Sequence, residues 1–324
     1  MDRPAASDPT GFKMNHSAPR KILVAISDPM IPAHRAVKRA EQIAFNSGAS
    51  LEFFSAVRSP TIPFGAPRFE ADQVIQVTLE RSRAALERLA KPLRREEIVV
   101  ETTVCLTEVV HEAILQQARA GGADLIILEA RRHGPLSRML LGQVDFELIR
   151  HSPIPILIVK DPKPWRSPRV LAALDPFHAH DKPREMDDRI VSAANSMTAL
   201  FGGSVHAVHV YWPLAELFPH VVIEPAIMAV TPREERSYAA KLKQAFNQAL
   251  AAYGFSDKRR HLTRGDPGTQ LPLLARSLKA RLMVIGAVSR SGFGHSFIGN
   301  TAERVLDSLP CDVLIVPAPL KKSG

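Results

Sequence analysis

The chain alternates short apolar runs with longer amphipathic stretches, and it runs through that alternation twice. Lys21-Ile22-Leu23-Val24-Ala25-Ile26-Ser27-Asp28 reads as a buried strand ending in an acid, and so does Arg169-Val170-Leu171-Ala172-Ala173-Leu174-Asp175. Apolar positions at helical spacing follow at residues 34–47 and 184–201. Each stretch meets a glycine stop, Gly48 or Gly202-Gly203, where a helix C-terminus favours a left-handed residue. Second strands are predicted at 50–57 and 204–210, and long amphipathic helices at about 70–93 and 232–253. Third strands fall at 98–104 and 258–263, with helices at about 108–120 and 269–279. The fourth strands, 123–128 and 280–285, match closely, and each half closes on a helix and a proline-bracketed strand, 152–159 or 309–317.

Each half is therefore βαβαβαβαβ. Short β-branched strands alternating with helices predict an α/β fold with a five-stranded parallel sheet covered on both faces. In such sheets ligands bind at the carboxyl ends of the strands, near the point where the strand order reverses. The pattern divides the chain into a disordered polar tail (1–19), a first domain (20–160), a proline-rich charged linker (161–168), a second domain (169–318) and a basic tail (319–324).

Composition narrows the class. No apolar run approaches the ~20 residues of a membrane helix, and the first residues lack the apolar centre of a secretory signal. Cys105 and Cys311 have no CxxC partner and flank apolar runs, so they read as buried thiols in a reducing, cytoplasmic setting. The formal net charge of +9 raises nucleic acid as a partner. No RNP motif, zinc finger or recognition helix accompanies the scattered basic residues, and a solvated basic surface is expected instead.

Three chemical signals lose to simpler readings. Gly294-His295-Ser296-Phe297-Ile298-Gly299 is one residue too long for a nucleophile elbow and lacks the preceding strand. His178, His180 and Asp181 lack the further ligands a metal site needs. His206 and His209 are three apart on a strand, so they point to opposite faces and cannot share a metal. One signal resists: the stretch 211–230, from Tyr211-Trp212-Pro213 onward, is too apolar to be freely solvated. Buried packing or a cavity for an apolar ligand would explain it.

The tails of the two halves carry a further pattern. The second half has Ile285-Gly286-Ala287-Val288-Ser289, then nine residues, then Gly299-Asn300-Thr301-Ala302-Glu303. This strand, glycine loop and helix start, together with the duplicated strand order, resembles the universal stress protein family. The Gly-Asn-Thr-Ala-Glu run resembles its E-type two-domain members. The first half keeps the spacing but has Glu129 and Arg132 at the two early glycine positions, followed by Gly142-Gln143.

The resemblance implies two flavodoxin-like or adenine-nucleotide-hydrolase-like domains facing each other as an intramolecular pseudo-dimer, with further dimerisation open. It implies a stress-response binding or signalling protein rather than a conventional enzyme, with protein partners it does not name. It assigns nucleotide binding to Asp175, Val210, Gly286, Val288, Ser289, Gly299, Asn300 and Thr301, with ATP as the ligand of the C-terminal domain alone and no metal or catalytic residue. Glycines there would let backbone N–H groups approach a polyphosphate, and a helix N-terminus would add its partial positive charge. The bland alternatives are that Gly286 ends a strand and Gly299-Asn300 caps a helix. Asp28 in the first half would then be a turn or helix-start residue. Two other functions stay open: a carrier of an apolar ligand or lipid precursor on the 211–230 stretch, and a weak nucleotide hydrolase.

Overall fold

The structure, a computed structural model, describes residues 18–58, 68–132, 139–177, 185–216, 230–287 and 300–318. The chain divides into two compact units. One holds the residues up to Ala130 together with Gly142–Pro164; the other holds Arg131–Leu141 and the residues from Trp165 onward.

In the first unit the apolar runs become the strands β1 (Lys21–Ala25), β2 (Ser50–Arg58), β3 (Val100–Thr107), β4 (Leu125–Glu129) and β7 (Ile156–Val159). All pair in parallel, in the order β7-β4-β1-β2-β3. The central strands are covered on both faces, as their unbroken apolar sequence requires: Ile22, Leu23, Val24, Ile126 and Ile127 are fully buried. The helices are α1 (Arg35–Ser47), α2 (Arg68–Arg95), α3 (Val110–Gly121) and α4 (Gln143–His151). Gly48 ends α1 with a left-handed φ of 71°, the predicted stop.

The second unit repeats the plan. Its strands β8 (Arg169–Ala173), β9 (Ser204–Tyr211), β10 (Arg260–Arg264), β11 (Leu282–Gly286) and β12 (Asp312–Val316) are parallel, in the order β10-β9-β8-β11-β12. Its helices are α5 (Glu185–Phe201), α6 (Pro232–Ala249), α7 (Pro267–Ser277) and α8 (Asn300–Ser308). The start of α6 follows from its sequence, Thr231-Pro232-Arg233-Glu234. Thr231 Oγ1 accepts the Glu234 N–H at 3.2 Å and the Glu234 carboxylate accepts the Thr231 N–H at 2.8 Å.

Two local differences from the sequence expectation have physical causes. Strand β3 starts at Val100 rather than 98, because α2 runs on to Arg95 and the chain then turns through Glu97 at φ 64°. A short antiparallel pair was not anticipated: β5 (Arg131–Arg132) and β6 (Met139–Leu140), which group with the second unit. Among the described residues no helix is long and apolar enough to cross a membrane. The polar tail at 1–17, the histidines at 178 and 180, most of the apolar stretch (217–229), the elbow-like run and the basic tail lie outside the described residues.

Candidate functional site

In both units the first and fourth strands are neighbours, β1 beside β4 and β8 beside β11. The strand order reverses there, so the loops leaving their carboxyl ends flank a crevice where α/β sheets bind ligands. In the second unit this brings Asp175, just past β8, to the same sheet edge as Gly286, the last residue of β11. Val210 lies half-buried near the end of β9, beside β8. Asn300 and Thr301 open α8. Val288, Ser289 and Gly299 lie outside the described residues.

Asp175 carries the chemical interest. Its backbone N–H donates to the Asp187 carboxylate of α5 at 3.2 Å. Its own Oδ1 is buried and has no hydrogen-bond partner among the described residues. His209 Nδ1 stands 4.0 Å from it and donates to the Leu174 carbonyl at 2.9 Å. A buried acceptor without a donor is costly, which makes this oxygen a place where a ligand donor would be gained.

The equivalent positions in the first unit are satisfied from within. Asp28 Oδ1 accepts the Met30 N–H at 2.9 Å, the turn role that its position suggested. Glu129, at the Gly286 position, accepts from Arg35 Nε at 2.8 Å and from the Ala36 N–H at 3.3 Å, so its carboxylate sits on the first turn of α1. The same Arg35 guanidinium donates to the Ala130 carbonyl at 2.9 Å. The Asp145 carboxylate, 8% exposed, accepts the Gly142 N–H at 2.8 Å at the start of α4. Two internal carboxylates thus hold the two helix starts at which an anion would bind. The sequence reading named Glu129 as an obstacle to phosphate and did not name Asp145. Its signal was available, as an acid three residues after the helix-opening glycine. The matching residue after Gly299 is Ala302.

Gly286 has a packing reason of its own. A Cβ built there would lie 2.7 Å from Met186 Sδ, 2.8 Å from Met186 Cγ and 3.2 Å from Ile190 Cδ1. Met186 and Ile190 belong to α5 and are fully buried, so the missing side chain lets the helix approach the strand. The first turn of α5 thus rests on Gly286 where the first turn of α1 bonds to Glu129.

At the other edge of the second sheet, His206 on β9 shares a hydrogen bond with His261 on β10, Nδ1 to Nε2 at 3.0 Å, with the rings stacked at 5.3 Å. Burial, and then the His261, Arg259 and Arg169 charges, lower the His206 pKa to about 4, and burial lowers that of His261. Both rings bind protons more weakly folded than unfolded. Their contribution is therefore complete above the ordinary histidine pKa of 6.5 and is lost as pH falls towards 4. Urea unfolding at pH 7 and at pH 4.5 checks this. The midpoint should fall on acidification, and His206→Asn should flatten the fall. Each ring should add less to the slope than the one-proton ceiling of about 1.4 kcal/mol per pH unit, because it is only half-buried. An equal fall in the variant would remove the pair as the cause.

The comparisons with known proteins agree with this architecture. The universal stress protein family matches residues 19–160 and again 169–317. Universal stress protein E of Escherichia coli K12 is 30% identical over 210 residues, covering 63% of this chain and 64% of that protein, just under two thirds of its length. Universal stress protein E of Photorhabdus laumondii is 25% identical over 305 residues, covering 91% and 94%. A solved structure of a functionally unknown protein from Pseudomonas aeruginosa PAO1 is similar at a TM-score of 0.71, with 28% identity and 94% of each chain covered. With its duplicated strands, duplicated sheets and two successive family matches, the chain belongs to the universal stress protein family and carries two of its domains in tandem.

Proposed function

We propose that the second unit binds an adenine nucleotide, ATP, at the carboxyl ends of β8 and β11, that the first unit does not, and that the chain works as a cytoplasmic stress-response binding or signalling protein. The observation that carries this is the Asp175 carboxylate, whose buried Oδ1 has no donor among the described residues, while the equivalent Asp28 is satisfied by its own turn. The amino and hydroxyl groups of a nucleoside are donors of the kind it lacks. The phosphate side supports the same asymmetry. Gly286 and Ala302 stand where the first unit has Glu129 and Asp145, so the second unit places no carboxylate at those two positions. A carboxylate there repels phosphate and uses the N–H donors that phosphate needs.

Calorimetric titration of the whole chain with ATP tests the reading. One site per chain is expected. Gly299→Val, which puts a branched side chain immediately before the first residue of α8, should abolish binding, while Gly142→Val should leave it intact. Two equal sites, or loss on Gly142→Val alone, would defeat the asymmetry. No binding by the native chain would defeat nucleotide recognition itself and favour the apolar-ligand reading.

A further inference from the structure

A cluster in the first unit belongs to neither the sheet edge nor the glycine loop. His111 lies in the first turn of α3, while Glu147 and His151 are four apart on α4 and so share one face of that helix. The three offer one ligand atom each, all within 4.8 Å of one another, and all three side chains are half-buried. The two imidazoles stack at 5.9 Å, with planes 27° apart.

Local bonds orient these groups. His151 Nδ1 donates to the Glu147 carbonyl at 2.9 Å, which in the neutral ring leaves the lone pair on Nε2. A hydrogen bond from one ring nitrogen to a backbone carbonyl is the usual way a metal-binding imidazole is held. Glu147 divides its carboxylate: Oε1 accepts from Arg150 Nη1 at 2.7 Å, and Oε2 lies 3.5 Å from His151 Nδ1. Arg150 therefore lowers the negative charge on offer, and Glu147 would serve as a one-oxygen ligand.

We propose that His111, Glu147 and His151 form a binding site for a divalent transition metal of the zinc class, joining the first turn of α3 to the last turn of α4. Two imidazoles and one carboxylate match the donor preference of such an ion and are poor ligands for magnesium or calcium, which take oxygen. Three protein ligands leave a fourth position to water, as in exchangeable zinc sites. Half-exposed side chains can close the remaining distance by rotamer changes. Binding requires neutral imidazoles, so it weakens in acid.

The test is equilibrium dialysis of the chelator-stripped full chain against zinc chloride at pH 7.5, followed by cobalt(II) substitution. One zinc ion per chain is expected, and the cobalt form should show visible d–d bands without a thiolate charge-transfer band. His111→Ala and His151→Ala should each weaken binding at least tenfold. Glu147→Gln, close to isosteric, should weaken it with unchanged far-UV circular dichroism. Arg150→Gln should retain or tighten it. His178→Ala, at one of the other paired histidines, should have no effect. The absence of stoichiometric zinc, or zinc retained in both His111→Ala and His151→Ala, would overturn the proposal.

Discussion

Asp175→Ala is expected to weaken ATP binding at least tenfold without lowering the thermal stability of the ligand-free chain. The two halves of this expectation have one cause. Asp175 Oδ1 is buried and has no hydrogen-bond partner among the described residues, so in the ligand-free protein its removal loses no hydrogen bond through that oxygen. A donor from the nucleotide would satisfy it, and a hydrogen bond to a charged acceptor contributes about 1.5–3 kcal/mol, which is a factor of ten or more in affinity. Asp28→Ala is the internal control. It removes the bond from the Met30 N–H and should cost a little stability, yet leave ATP affinity unchanged. Calorimetric titration beside a thermal melt reads both quantities. An Asp175→Ala chain that binds ATP as tightly as the native one would remove the acid from the site. A marked drop in melting temperature would make it a structural residue.

Gly286→Ala should destabilise the second unit by about 1–3 kcal/mol, the usual cost of adding a methyl group to a filled core. The new Cβ would fall 2.7–2.8 Å from Met186, which is fully buried and closely surrounded. Removing the obstacle should relieve the strain. The double variant Gly286→Ala with Met186→Ala should be more stable than the sum of the two single losses predicts, a coupling that a double-mutant cycle in urea measures. Additive losses would show that α5 does not meet the strand at this point. The same variants separate packing from ligand approach. If Gly286 serves only the helix contact, the double variant keeps native ATP affinity. If the ligand also needs that space, affinity drops even where stability is restored.

Both experiments concern residues whose positions could be read from the sequence but whose partners could not. The strands were legible because a fully covered parallel strand needs an unbroken apolar run: Ile22-Leu23-Val24 and Leu282-Met283-Val284 have one, and both runs are completely buried. Helix limits were legible to within a few residues, because Gly48 and the Thr231–Glu234 box act on their own neighbours. The duplication needed only strand order and spacing, and the family resemblance needed the Gly286 loop and the Gly299-Asn300-Thr301-Ala302-Glu303 run as well. What lay beyond the sequence was each contact between distant residues. Glu129 meets Arg35 across 94 positions, and His206 meets His261 across 55. His111 meets His151 only because α3 and α4 pack together. The glycine at 286 looked like a phosphate loop's first residue, and the fold adds the buried Met186 side chain against it. Local rules act over one helical turn or one strand alternation, so they determine which segments form elements and which way their apolar faces point. Which side chain then meets which charge, and which carboxylate oxygen is left without a donor, depends on how elements far apart in sequence pack around the core, and only the tertiary structure decides that.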